Sequence, residues 1–373
     1  VKTVRRHTYL IICAAFLLFI LPSPLSAADT ALSEKLDASI ARAAQGLIKL
    51  QSPDGGFHSV TYGHLKPGVA TTALTLAALS RLPAAERSAY AAQIDAGLKF
   101  LLANQGKDSA LGTGGEWLEY PAYATALGTV ALCELKPSGY EKTISPWVAY
   151  LKKSQHDASN GCAPEEPGYG GWGPEGPVMK LRERRADIST TRFVLQALHA
   201  AGALDAETRA KALAFVLSCK SGGSGGFYFS TTALDLNKAG LEAARKTYRP
   251  YGSATADGLI CLTILSAEMD REKANAWLQK NASTTVPGGF KDSHEQAQLW
   301  AKGLSGYYRA ALAQAAPAAM QNLDWRALAS GTLETQRPDG LWSNEFGLMK
   351  EDDPLIATPL ALDVLIACRR AFK

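Results

Sequence analysis

Gly55-Gly56-Phe57 returns along the chain as Gly170-Gly171-Trp172, Gly225-Gly226-Phe227 and Gly288-Gly289-Phe290, with Gly114-Gly115 before Trp117 and Asp339-Gly340-Leu341-Trp342 as variants. The steps between the second glycines, with Gly340 as the last, are 59, 56, 55, 63 and 51 residues. One supersecondary unit is written six times, and a period of that length governs everything read locally. A second mark follows each turn. Ala70-Thr71, Ala124-Thr125, Ser189-Thr190, Ala254-Thr255 and Ala357-Thr358 open apolar stretches, and Gly303-Leu304 holds that place in the fifth unit.

Each unit reads as helix, glycine turn, helix. Glycine supplies the positive φ and the close approach that a tight reversal needs, and the aromatic buries a large side chain where the backbone is thin. The second helices are apolar almost all round, as in Val69 to Leu79 and Ala122 to Leu132. Helices of that kind are buried on most faces. The first helices carry charge, as in Asp37 to Lys49 and Glu207 to Phe215. The pattern predicts an all-α fold, a six-repeat (α/α)6 toroid with apolar helices inside and amphipathic helices outside. An open solenoid is the rival, but closure buries the inner helices from every side. No linker divides residues 29–373, so one domain is expected there.

The N-terminal residues 1–28 read as an export signal: Lys2, Arg5 and Arg6, an apolar run from Leu10 to Leu21, and Ser26-Ala27-Ala28 as a cleavage site. A retained anchor is the alternative, although the run is short for a membrane span and no later segment reaches about 18 apolar residues. A first residue of Val suits a GUG start, so a bacterial periplasmic or secreted protein is expected. The chain has 39 basic and 35 acidic residues, net +4, and removing the three signal basics leaves +1. That balance gives no electrostatic footprint for nucleic acid. Beyond Cys13, five cysteines remain; only Cys162 and Cys219 lie in or beside glycine-rich loops, and spacing leaves a disulfide between them open.

Gly97-Leu98-Lys99-Phe100-Leu101 followed by Gln105, Tyr150-Leu151 followed by Gln155, and Gln336 before Gly340-Leu341-Trp342 resemble the QW repeats of the terpene cyclases. The glycine turns are similar to those of the prenyltransferase β subunits. The resemblance covers essentially the whole chain after the signal and implies the squalene-cyclase and prenyltransferase toroid, with an apolar or isoprenoid small molecule in the ring. Its chemistry does not carry over intact. Asp187-Ile188-Ser189-Thr190-Thr191 keeps only the first Asp and last Thr of the cyclases' Asp-x-Asp-Asp-Thr acid motif. A hydroxyl cannot protonate an alkene. The zinc-binding His of the prenyltransferases corresponds to Leu299, and their Asp-x-Cys is missing; no metal and no cofactor is expected. Gly161-Cys162-Ala163-Pro164-Glu165 is superficially similar to a complement thioester, but Glu165 cannot form that bond.

Asp187 is the candidate catalytic acid, against an N-cap role for the same residue. The aromatics Trp172, Tyr251, Trp300 and Tyr307, near turns and inner-helix entries, are candidate ligand-binding residues, against a place in the core. Arg184 and Arg185 end a long Gly/Pro-rich loop and are candidates for an anionic headgroup or diphosphate, against a solvated charge run. Glu351-Asp352-Asp353 precedes the last inner helix; paired acids serve Mg²⁺ or acid–base work, but no Asp-Asp-x-x-Asp follows, which favours stabilisation of the helix dipole. Two functions follow: a terpenoid-cyclase-like protein acting on an apolar ligand, or a non-catalytic binding module with a protein partner. A wide cavity with unpaired carboxyls would mark the first, and a ring filled by its own side chains the second.

Overall fold

The computed structural model describes residues 27–114, 118–176, 185–242, 247–290, 295–318 and 323–372. Residues 1–26 of the expected signal, together with Gly115, Trp117 and Arg184, lie outside them. Among the described residues fourteen α-helices run in chain order: α1 (Ala27–Lys49), α2 (Val69–Ser80), α3 (Ala84–Arg87), α4 (Ala91–Ala103), α5 (Pro121–Leu135), α6 (Glu141–Lys153), α7 (Ile188–Ala200), α8 (Ala206–Ser218), α9 (Gly252–Leu265), α10 (Glu268–Asn281), α11 (Glu295–Gly303), α12 (Ser305–Ala315), α13 (Trp325–Leu333) and α14 (Pro354–Ala371). The only ladder among the described residues is a short hairpin, Leu241–Glu242 against Thr247–Tyr248.

The inner helices are α2, α5, α7, α9, α12 and α14. Each packs on the next, and α14 returns to pack on α2. The ring is closed, which removes the solenoid reading. Closure has a chemical signature at the seam. Gly170 has φ of 85°, and a β-carbon there would lie 1.9 Å from the Lys211 carbonyl of the next outer helix, α8. Gly340, with φ of 87°, stands in the same way 2.4 Å from the Arg42 carbonyl of α1. The last repeat treats the first as its successor.

Two hydrogen-bond patterns repeat. The residue after each turn donates its N–H to a threonine of the inner helix: Phe57 to Thr72 at 2.9 Å, Trp172 to Thr191 at 3.1 Å, Phe227 to Thr255 at 3.0 Å and Trp342 to Thr358 at 3.0 Å. In the first and third repeats the acceptor is therefore one residue beyond the Thr71 and Thr190 of the sequence pattern. In the second repeat Leu111 donates to Thr125 at 2.9 Å. The turn there is Ser109-Ala110-Leu111, with Ser109 at φ of 64°, and not Gly114-Gly115. The glutamines form the second pattern. Gln155 Nε2 donates to the carbonyls of Gly170 (2.9 Å) and Thr208 (3.1 Å), and Gln336 Nε2 to those of Gly340 (2.9 Å) and Ser39 (3.0 Å). Each ties its own turn to the next outer helix.

Free amides at the starts of the inner helices are met by the following repeat. Glu119 accepts from Ala70 of α2 at 3.2 Å, the Pro174 carbonyl from Ala122 of α5 at 3.2 Å, and the Phe229 carbonyl from Ile188 of α7 at 3.0 Å. The Gly288 carbonyl accepts from Gly252 of α9 at 2.9 Å, and Glu351 from Gly306 and Tyr307 of α12 at 2.8 Å each. Asp353 caps α14 and receives the Ser59 hydroxyl at 2.5 Å, across the seam. Orphan amides at a helix start require such partners, and here they lock neighbouring repeats together. Cys162 and Cys219 are both buried, and no disulfide joins them. No helix among the described residues is long and apolar enough to cross a membrane.

Candidate functional site

All six inner helices start on one face of the ring, and a central cavity of about 250 Å³ opens there. Leu65, Leu74, Phe229, Met349, Ile356 and Leu360 give it apolar walls, and its polar groups are Asp187, Glu351, Lys350 and the hydroxyls of Ser189, Thr190, Tyr120, Tyr123 and Tyr307. Asp187, Tyr307 and Glu351 are the sequence candidates that reach it.

Asp187 stands at the start of α7 in extended backbone, and its carboxylate accepts from the Thr190 N–H at 2.7 Å and the Thr190 hydroxyl at 2.9 Å. It is the N-cap. Burial pushes its pKa up to about 7, against the stabilising bonds from Thr190 and the field of Lys238. Glu351 is raised by burial and held down by the Tyr307 and Gly306 amides and Asn344. At the cavity wall each carboxylate is thus engaged with a helix start. Glu119, at the neighbouring rim, is pushed to about 7 by burial, against the amides of Ala70, Val69 and Gly68.

The floor is polar. Tyr307 donates its hydroxyl to Asp257 Oδ2 at 2.9 Å and meets the Ser189 hydroxyl at 2.5 Å. Asp257 lies 3.2 Å from Arg192 Nε, both side chains being 2% exposed. Burial raises Asp257 to about 6, and Arg192 opposes that rise. Arg192 donates to Gln314 at 3.3 Å, Gln314 to Asp363 at 3.1 Å, and Arg81 to both Asp363 oxygens at 2.6 and 2.5 Å. This chain touches α7, α12, α9 and α14 and ends on the residue following α2. It fills the middle of the ring with the protein's own side chains. Beyond it, at the opposite face, a second cavity of about 790 Å³ is lined by Arg81, Glu134, Gln196, His199 and Asp363.

The remaining candidates fall elsewhere. Trp172 is fully buried and donates its indole N–H to the Leu151 carbonyl at 2.7 Å. Tyr251 is buried against Phe290, with ring centroids 5.3 Å apart. Both are core plugs, Trp172 held to α6 and Tyr251, the residue before α9, packed on the next turn's Phe290. Trp300 is half-buried, 5.5 Å from the Lys238 ammonium. Arg185 is exposed and paired with Asp235 at 3.1 Å, so it does not line the cavity. Of the acidic triplet, Glu351 and Asp353 cap helices and Asp352 accepts the Tyr62 hydroxyl at 2.5 Å. No group of three or more His, Cys, Asp or Glu able to hold a metal converges among the described residues.

Sequence reasoning missed Arg192, Asp257, Asp363 and Lys238. The first three are charges set within apolar stretches of inner helices, a readable signal, since such residues are almost never buried unless paired. Lys238 sits in the 228–250 loop, 4.0 Å from the Phe229 ring, and burial pulls its pKa down to about 8 against the fields of Asp187 and Asp257.

The sequence matches the family described as the prenyltransferase alpha-alpha toroid domain over residues 5–116, 123–248 and 258–354. Among solved structures, the type II terpene cyclase MstE from Scytonema, in complex with the product merosterolic acid A, is 15% identical with a TM-score of 0.58, covering 91% of this chain and 99% of that one. The same enzyme with its substrate geranylgeranyl dihydroxybenzoate gives 14%, 0.58, 91% and 99%. A possible member of the GH105 family from Klebsiella pneumoniae gives 13%, 0.55, 98% and 98%. At such identities the likeness is one of fold. No protein of curated function matches the sequence.

Proposed function

The chain belongs to the prenyltransferase alpha-alpha toroid family, and from that premise we propose that it is an exported toroid that holds an isoprenoid-type apolar group in its central cavity without protonating it. One observation carries this reading. The cavity is walled by hydrocarbon, yet its carboxylates are engaged as helix caps and its floor is closed by the Tyr307–Asp257–Arg192 network. Apolar walls with a few placed polar groups suit a ligand. Ser189 and Thr190, where the cyclases carry acids, are engaged with Tyr307 and Asp187. MstE, on the same fold, holds geranylgeranyl dihydroxybenzoate, which supports an isoprenoid as the ligand class. Fold likeness alone is an associational warrant, so the cavity carries the weight. Export rests on the basic and apolar residues of the first 28 positions.

A second reading, a protein-binding module, is favoured by exposed apolar side chains on the loops of the cavity face: Val60, Leu118, Leu234, Leu241 and Leu348.

Native mass spectrometry of the protein purified from its own periplasm or medium, then titrated with geranylgeraniol, tests the proposal. One bound isoprenoid per chain is expected, lost in Leu74→Trp, which fills the cavity, and kept in Trp172→Phe. An empty protein that takes no geranylgeraniol but copurifies with another polypeptide would replace the ligand reading with the module.

A further inference from the structure

The fifth repeat breaks the pattern of the other five. It has no turn threonine, and its second half is two short helices, α11 and α12, in place of one. Where the regular repeats seal against their neighbours, a lateral cavity of about 360 Å³ remains between α12 and α14. Natural chains keep local irregularities mainly where function asks for them.

Arg309 of α12 faces this cavity. Its Nε is sealed from solvent and has no hydrogen-bond partner, while its Nη1 donates to the Gly331 carbonyl at 3.2 Å. Among the described residues no carboxylate lies within ion-pair distance of it. Glu351 shares the wall, but its oxygens accept from Gly306, Tyr307 and Asn344. A guanidinium does not deprotonate in a protein, so Arg309 stays charged in this half-buried place. Burial depresses its pKa against the field of Glu351, which acts on it without forming an ion pair. Val286, Trp342, Phe346, Ala357, Ala361 and Val364 give the wall its hydrocarbon, and Lys302, Asn344, Glu345 and five Thr and Ser residues line the rest.

We infer that the lateral cavity is a binding site for a monocarboxylate with an apolar body, its carboxylate on Arg309 and its hydrocarbon against Trp342 and α14. It is separate from the central cavity, from which Glu351 divides it, and stands whether or not an isoprenoid binds there.

Isothermal titration calorimetry with 3-phenylpropionate, 3-phenylpropan-1-ol and inorganic phosphate tests the site. Saturable binding of the carboxylate alone is expected. Arg309→Gln should weaken it about tenfold or more, since a hydrogen bond to a charged group is lost, and Arg309→Lys should weaken it less. Ala361→Leu, which fills the floor, should abolish binding with Arg309 in place and guards against a folding artefact in the first variant. Unliganded Arg309→Gln should melt close to wild type, because no ion pair is lost with the guanidinium. Three outcomes would overturn the site: no saturable carboxylate binding up to about 10 mM, equal binding of the alcohol or of phosphate, or binding untouched by Arg309→Gln.

Discussion

The two ends of the ring meet the inner helices with opposite groups. At the cavity face, where the six inner helices begin, acids accept from the helix starts, namely Glu119, Asp187, Glu351 and Asp353, with Lys350 beside them. At the far face, where the helices end, bases gather: Arg81 on Asp363, Arg369 on Asp37 and Glu86, and Arg370 on the Arg81 carbonyl. Parallel helices place six partial positive charges at one end and six partial negative charges at the other. Acids and bases distribute to match. The acids around the mouth are thus explained by architecture, and a catalytic reading of them needs more than their presence in a cavity.

The largest effect should come from the layer between the two ends. Arg192→Leu leaves Asp257 buried without its counter-charge, and denaturant unfolding should show a loss of about 3–5 kcal/mol. Arg192→Leu with Asp257→Leu should recover most of it; a double variant as unstable as the single one would mean that packing, and not charge, holds the floor. Arg81→Met at the far face should cost less, about 1–3 kcal/mol, because Arg81 remains 17% exposed and water can still reach the Asp363 it leaves behind. Equal losses at the two sites would erase the distinction between floor and far face.

A smaller effect separates the ends by pH. Burial raises Asp187 to about 7, above its unfolded value of about 3.9. Between those values the folded chain holds a proton that the unfolded chain has released, so stability falls as pH rises through that window, and the loss is complete above about 7. Asp187→Asn cannot ionise. Its melting temperature should fall less steeply from about pH 4 to 7 than that of wild type, with a residual slope of the same sign from Glu119, also near 7. Parallel melting curves would show that Asp187 is not held protonated. The smallest effect is a turn bond: Thr191→Val strands the buried Trp172 N–H and should cost about 1–2 kcal/mol in the same unfolding assay.

Much of this architecture is legible in the sequence because its causes are local. Turn glycines, the aromatic behind them and the inner-helix threonines each mark a bond that recurs in every regular repeat. Repeat two misleads because Ser109 takes the left-handed conformation that glycine fills elsewhere, while Gly114-Gly115 offers a decoy. The cap role of Asp187 is also local, an Asp before a helical run. The floor is not: Arg192 meets Gln314 across the ring and Arg81 meets Asp363 across the seam, 122 and 282 residues apart. Trp172 and Tyr251 show a further limit, because an aromatic beside a turn suits core and cavity alike until the helix face is known.

Binding without protonation is tested most directly by incubating the protein with a geranylgeranyl substrate in D₂O and analysing the products by mass spectrometry. Cyclisation started by a protein acid would place deuterium on carbon. The expected result is substrate recovered uncyclised and unlabelled, from wild type and Asp187→Asn alike. A deuterated cyclic product from wild type, absent in Asp187→Asn, would contradict it and return Asp187 from helix cap to catalytic acid.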